Sequence, residues 1–141
     1  MKVTATRRVQ FAIGHRVFGH EGKCRHLHGH NFVFFLTGEA PALDNVGRVI
    51  DFGVLKERVG AEIERLWDHG LVLFQNDYKA IDAVRMIEGQ KLYLLPSNPT
   101  AENLALFVLV HIGPRALEGT KVKLTKVTVW ETENGIAEAS L

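Results

Sequence analysis

Five of the seven histidines fall between His15 and His30, and their spacing suggests a metal site. His28 and His30 open an apolar stretch with one residue between them, so on a strand both imidazoles project from one face and can converge on one ion. His15, at the end of an earlier alternating stretch, is a natural third ligand if the two strands pair. Three neutral imidazoles suit zinc, and they leave the fourth position open, as catalytic rather than structural zinc requires. His26 lies two residues before His28 and competes as a ligand on spacing alone; Gly29 and the strand after it favour the later pair. A bare His-x-His is more often a polar surface pair, and His20 and His111 read as surface residues.

Other residues could move protons or hold a ligand. Cys24 is the single cysteine and sits between Lys23 and Arg25, cationic neighbours that favour a thiolate able to take a proton. Asp68-His69 offers a base with a carboxylate beside it, although adjacent side chains often point apart. Glu131 is in phase with Val127 and Val129, and a carboxylate among apolar neighbours needs a partner, which a ligand with paired N–H donors would supply. Glu102, in the first turn of an expected helix, reads as a dipole partner.

The elements that must position these residues follow from periodicity. Val3 to Ile13 alternates as a half-buried strand, which in phase would direct His15 to the apolar side. Phe18 to Arg25 reads as a loop, and His28 to Thr37 as a second strand with both faces apolar: Phe32, Phe34 and Leu36 on one, Val33 and Phe35 on the other. Helices in so small a domain cover one face of such a sheet, so the second face predicts an oligomer. After a turn over Gly38 to Gly47, residues Phe52, Leu55, Val59, Ile63 and Leu66 mark an amphipathic helix with Asp51 as N-cap.

Gly70 to Asn98 is the least readable stretch. Leu71 to Phe74 and Leu92 to Leu95 fit short strands bracketing a helical turn around Ala80 to Ile87. Pro99-Thr100 opens a second helix with Thr100 as N-cap, apolar at Ala101, Leu104, Ala105, Val108 and Ile112, with a stop expected at Gly113-Pro114. Val122 to Thr132 is a strand, and another follows the Asn134-Gly135 turn.

Composition bounds the function. The 141 residues suit one domain spanning 1–141, with 46% hydrophobic and 23% charged residues. A net charge of +1 without a basic run argues against a nucleic-acid partner. One cysteine allows no internal disulfide and suits a reducing compartment. No apolar run approaches a membrane span, and Met1-Lys2-Val3 opens no signal peptide, so a cytoplasmic protein with no membrane partner is expected.

Taken in order, Phe11-Ala12-Ile13-Gly14-His15-Arg16, Cys24-x-x-x-His28-Gly29-His30-Asn31, Ile50-Asp51-Phe52, Asp68-His69, Pro99-Thr100-Ala101-Glu102-Asn103 and Glu131-Thr132 resemble the family of 6-pyruvoyltetrahydropterin and 6-carboxytetrahydropterin synthases. The resemblance implies an α+β tunnelling fold, in which a four-stranded antiparallel sheet carries two helices on one face and oligomerises into a β-barrel, as a homohexamer built from two trimers. It also implies Zn2+ on His15, His28 and His30, proton transfer by Cys24, Asp68 and His69, and a pterin anchored by Glu131 with help from Thr100. Family sites lie at subunit interfaces, so Asp68, His69 or Glu131 can serve a neighbour's zinc.

The spacing of Cys24 and His28, with Ile50-Asp51-Phe52 after them, resembles the carboxy-forming bacterial members. These convert 7,8-dihydroneopterin triphosphate to 6-carboxytetrahydropterin, acetaldehyde and triphosphate in 7-deazaguanine (queuosine) biosynthesis. The pyruvoyl-forming lyase of tetrahydrobiopterin synthesis is the alternative, followed by a pterin-binding paralogue without catalysis and a generic zinc hydrolase. Ile13-Gly14, the extra His26 and the long segment from Gly70 to Asn98 depart from the family pattern.

Overall fold

The alternating segments become the longest strands, and everything else is arranged around them. A computed structural model describes residues 1–141. In chain order the elements are β1 Thr4–His15, β2 His28–Glu39, helix α1 over residues 52–67, β3 Gly70–Phe74, helix α2 Tyr78–Arg85, β4 Leu92–Leu95, helix α3 over residues 101–116, β5 Lys123–Thr132 and β6 Gly135–Ser140. All six strands join one sheet in the order β4-β3-β1-β2-β5-β6. No helix is long and apolar enough to cross a membrane.

The fold is α+β as expected, but the sheet has six strands rather than four and is mixed rather than antiparallel. β1, β2, β5 and β6 pair antiparallel, while β3 lies parallel to β1 and β4 parallel to β3. The two added strands have side chains packed on both faces. Val72 and Leu95 join the main core, whereas Leu73 packs with Ala80, Ile81 and Val84 of α2 in a second cluster. A strand covered on both sides carries no alternation, which is why β3 and β4 are hard to read from the sequence.

α1 and α3 cover one face of the sheet, as expected, and α2 covers the other face only at the β3–β4 edge. Beneath α1 and α3 lie Val9, Phe32, Phe34, Leu36, Val127 and Val129. Trp67, fully buried at the end of α1, packs against Phe34, Tyr93 and Phe107 and so ties the helix to the sheet and to α3.

The stop expected at Gly113-Pro114 does not occur, and α3 runs on to Ala116. A single widened turn precedes the proline, closed by the Gly113 N–H on the carbonyl of Val108 five residues back, and a wider turn relieves the crowding a proline ring otherwise creates. Gly113 also lets the helix approach β5, because a Cβ there would sit 2.6 Å from Leu124 Cδ2.

Candidate active site

Pairing of β1 with β2 sets His15 opposite His28 and Ile13 opposite His30, so all three histidines face the helix side in phase with Phe32. One ring nitrogen from each lies within 4.8 Å of the others. His15 and His30 each meet the Phe32 ring edge to face, at 5.3 and 5.4 Å between centroids, which gives the cluster an apolar floor.

The tautomers follow from the partners. His15 Nδ1 lies 2.7 Å from the Pro99 carbonyl and His28 Nδ1 lies 2.6 Å from the His26 carbonyl. A carbonyl only accepts, so both Nδ1 atoms carry the proton and both Nε2 atoms present lone pairs. Those two Nε2 atoms face each other at 3.1 Å. His30 Nε2 is buried and makes no hydrogen bond.

Facing lone pairs beside an orphaned buried nitrogen form a donor set for a cation. A proton is a poor substitute, because burial is the main cause lowering the pKa of both His15 and His30. The donor set therefore fits a divalent metal, with two imidazoles already oriented by carbonyls as ligating histidines usually are. His26, which competes for this role on spacing, points its ring into solvent and contributes its carbonyl instead.

Glu131 reaches the same cluster. It falls where the β5–β6 pairing shifts register between Trp130 and Thr132, and such bulges re-aim side chains. Its carboxylate lies 3.8 Å from His15 Nε2 and 3.6 Å from His30 Nε2. Thr100 caps α3 by accepting from the Asn103 N–H at 3.1 Å, directly after the Pro99 carbonyl that orients His15.

Asp68 and His69 do pair, despite being adjacent. His69 takes a left-handed φ of 57°, and this turns its Nδ1 onto Asp68 Oδ2 at 2.8 Å. Asp68 Oδ1 accepts from the Ala12 N–H at 3.0 Å, and the His69 N–H donates to the Ala12 carbonyl at 2.7 Å, so the pair is pinned to β1. His69 opens onto a shallow depression lined by Ala12, Ile13, Gly14, Gly29, His30 and Asn31. Ala12, Gly14, Gly29 and Asn31 alternate with the histidine positions and belong to the opposite face of the sheet, whereas Ile13 and His30 belong to the histidine face. Within one chain the Asp68–His69 pair thus opens mainly beside residues of the face opposite the three histidines.

Cys24 sits half-buried in a short helical turn, Lys23–Arg25, on the loop joining β1 to β2. Its carbonyl accepts from the Val17 N–H at 2.8 Å. The loop is anchored by a residue pair the sequence does not reveal. Arg16 donates Nε and Nη2 to Asp77 at 2.6 and 2.7 Å, and the Asp77 side chain is 1% exposed. The Asp77 hydrogen bonds raise the Arg16 pKa above its ordinary value. His20 is half-buried beside this loop and His111 is exposed on α3.

The fold and site together define an α+β domain with three histidine donors gathered at one end of a central strand pair, a set able to hold a metal ion. The chain belongs to the family described as 6-pyruvoyl tetrahydropterin synthase, which it matches over residues 4–140. It is 39% identical over 136 residues to the 6-carboxy-5,6,7,8-tetrahydropterin synthase of Rickettsia bellii, covering 96% of this chain and 99% of that protein. The Aquifex aeolicus protein of the same name is 30% identical, with 98% of each chain covered. Among solved structures, an uncharacterized protein from Wolinella succinogenes superposes with a TM-score of 0.81 at 22% identity, over 99% of this chain and 98% of that one. The Caenorhabditis elegans 6-pyruvoyl tetrahydropterin synthase gives 0.71 at 23% identity, over 100% and 96%. These two structures share the fold.

Proposed function

We propose that the chain is a 6-carboxy-5,6,7,8-tetrahydropterin synthase, an enzyme that converts 7,8-dihydroneopterin triphosphate to 6-carboxytetrahydropterin, acetaldehyde and triphosphate in the cytoplasm, on the route to queuosine. The observation carrying this choice within the family is near end-to-end similarity to proteins of that name, including 39% identity over 96% of the chain. The donor set of His15, His28 and His30 supports it.

His15, His28 and His30 would hold Zn2+. Bound there, zinc supplies Lewis-acid polarisation of the substrate's side-chain hydroxyls, which acidifies the neighbouring C–H bonds. The Cys24 thiolate takes a proton from the substrate side chain. His69, with Nδ1–H directed at Asp68, presents Nε2 as a proton acceptor and relays the proton. The Glu131 carboxylate accepts from the amino and ring N–H groups along the pterin edge, which fixes the side chain relative to the site. The Thr100 hydroxyl accepts the Asn103 N–H and keeps its own proton to donate to the ligand.

The two-faced arrangement of histidines and dyad favours catalysis between chains: Asp68 and His69 of one chain serve the histidines of a neighbour in a homohexamer of two trimers. Incubating the zinc-loaded protein with 7,8-dihydroneopterin triphosphate and identifying products by mass spectrometry tests the reading. 6-Carboxytetrahydropterin with acetaldehyde is expected. A pyruvoyl-pterin without acetaldehyde would reassign the chain to the pyruvoyl-forming lyase, and pterin binding without turnover to the non-catalytic paralogue. Cys24→Ala is expected to abolish turnover and leave the zinc content unchanged.

A further inference from the structure

The Asp68–His69 pair begins where α1 ends, and its geometry needs support. Helix ends leave backbone carbonyls without partners, and a cation there is favoured by the helix dipole. Lys91, in the turn before β4, supplies that cation. Its Nζ donates to the Glu64 carbonyl at 3.0 Å and to the Asp68 carbonyl at 2.6 Å, while the Asp68 N–H donates to the same Glu64 oxygen at 3.1 Å. The backbone of residue 91 holds the other side of the turn, its carbonyl accepting from the Leu71 N–H at 3.0 Å. The lysine stem lies across Gly70, where an added Cβ would come within 2.8 Å of Lys91 Cγ.

His69 sits inside this clamp at φ 57°, a left-handed conformation that is unfavourable for a residue with a side chain. In that conformation Nδ1 lies 2.8 Å from Asp68 Oδ2. Strain of this kind persists where surrounding contacts over-determine it.

We propose that Lys91 is a positioning residue: it fixes the Asp68 carbonyl against the end of α1 and so holds His69 in the strained conformation that pairs it with Asp68. The inference rests on reading Asp68 and His69 as the proton-transfer pair, and it extends the working site to the turn before β4. Lys91 touches neither ligand nor reacting atoms; it acts through the turn.

The test uses the zinc-loaded full-length protein with Lys91→Met and Lys91→Arg, read by 15N NMR of labelled histidine and by steady-state kinetics. In K91M the His69 ring is expected to lose its uniform Nδ1–H tautomer. kcat is expected to fall about 10- to 100-fold with KM within about twofold, the scale expected when a reacting group is misplaced by about an ångström. K91R is expected to recover the tautomer and most of kcat.

An unchanged tautomer and kcat in K91M, with only a lower melting temperature, would overturn the proposal and leave Lys91 a structural residue. If K91M does not fold, Lys91→Gln takes its place: loss of the tautomer with a fall in kcat supports the proposal, and no change in either overturns it. A scrambled tautomer with unaltered kcat would keep Lys91 as the positioning residue and remove the pair from the reaction, separating failure of this inference from failure of the functional reading.

Discussion

Carbonyl oxygens decide what the histidines can do. Pro99 and the backbone of His26 fix the protons of His15 and His28 on Nδ1, so the Nε2 atoms can only accept. Spacing alone identifies the three ligand candidates, because period two puts His28 and His30 on one face. It cannot demote His26, whose contribution through its carbonyl depends on the loop conformation. Nor can it show that Asp68 and His69 pair, since that needs a left-handed φ on a histidine, which sequence patterns do not announce.

Two measurements probe these side chains. Burial lowers the pKa of His15 and His30 from 6.5, so the unfolded chain binds protons more readily there. Their contribution to the stability of the metal-free protein is full above that value and is lost as pH falls through the lowered folded-state pKa values. The urea midpoint of chelator-treated protein should therefore drop as pH falls below 6.5, and drop less in His15→Asn; an equal drop would exclude this cause. Glu131, 3.6 and 3.8 Å from two ring nitrogens, is near enough to act as a ligand. The pterin-anchoring role predicts that Glu131→Gln keeps one equivalent of metal and raises KM at least about tenfold, as loss of a charge-assisted hydrogen bond does. Loss of metal from this variant would move Glu131 into the ligand set.

The elements divide by how their signal is carried. β1, β2, α1 and the start of α3 are legible because each buries one face, and their caps Asp51 and Thr100 hold the expected backbone N–H groups of Gly53 and Asn103. β3, β4 and α2 show only in outline, and their place in the sheet is hidden, because short strands packed on both faces lack a period. That segment carries Asp77, which anchors the Cys24 loop through Arg16, and Lys91 lies in the turn leading into β4. Asp77→Ala would leave the Arg16 guanidinium unpaired in a partly buried setting. The expected loss is about 3 kcal/mol, measured by denaturant unfolding. A change within about 0.5 kcal/mol would show that the pair is not structural.

Across the molecule, the sheet face opposite α1 and α3 is left largely uncovered. β2, β5 and β6 place Val33, Trp130 and Ile136 in cross-strand register there, with Phe35 beside them opposite Thr128; Val33 is buried beneath its neighbours. Phe35 and Trp130 rings stand 5.0 Å apart, and Ile136 is 57% exposed. An apolar patch of this kind on a β-sheet calls for a covering surface, and the two-faced site calls for a neighbouring chain. Trp130→Glu is expected to shift the protein to smaller species in sedimentation velocity and to reduce turnover together with assembly. An unchanged sedimentation coefficient would place the subunit contacts elsewhere.

All of this depends on His15, His28 and His30 converging on one cation without help from the cysteine. X-ray absorption on the zinc-loaded protein addresses it. One zinc per chain is predicted, with three imidazole nitrogens at about 2.0 Å and no sulfur neighbour. A sulfur shell at about 2.3 Å, or fewer than three imidazoles around the metal, would contradict it.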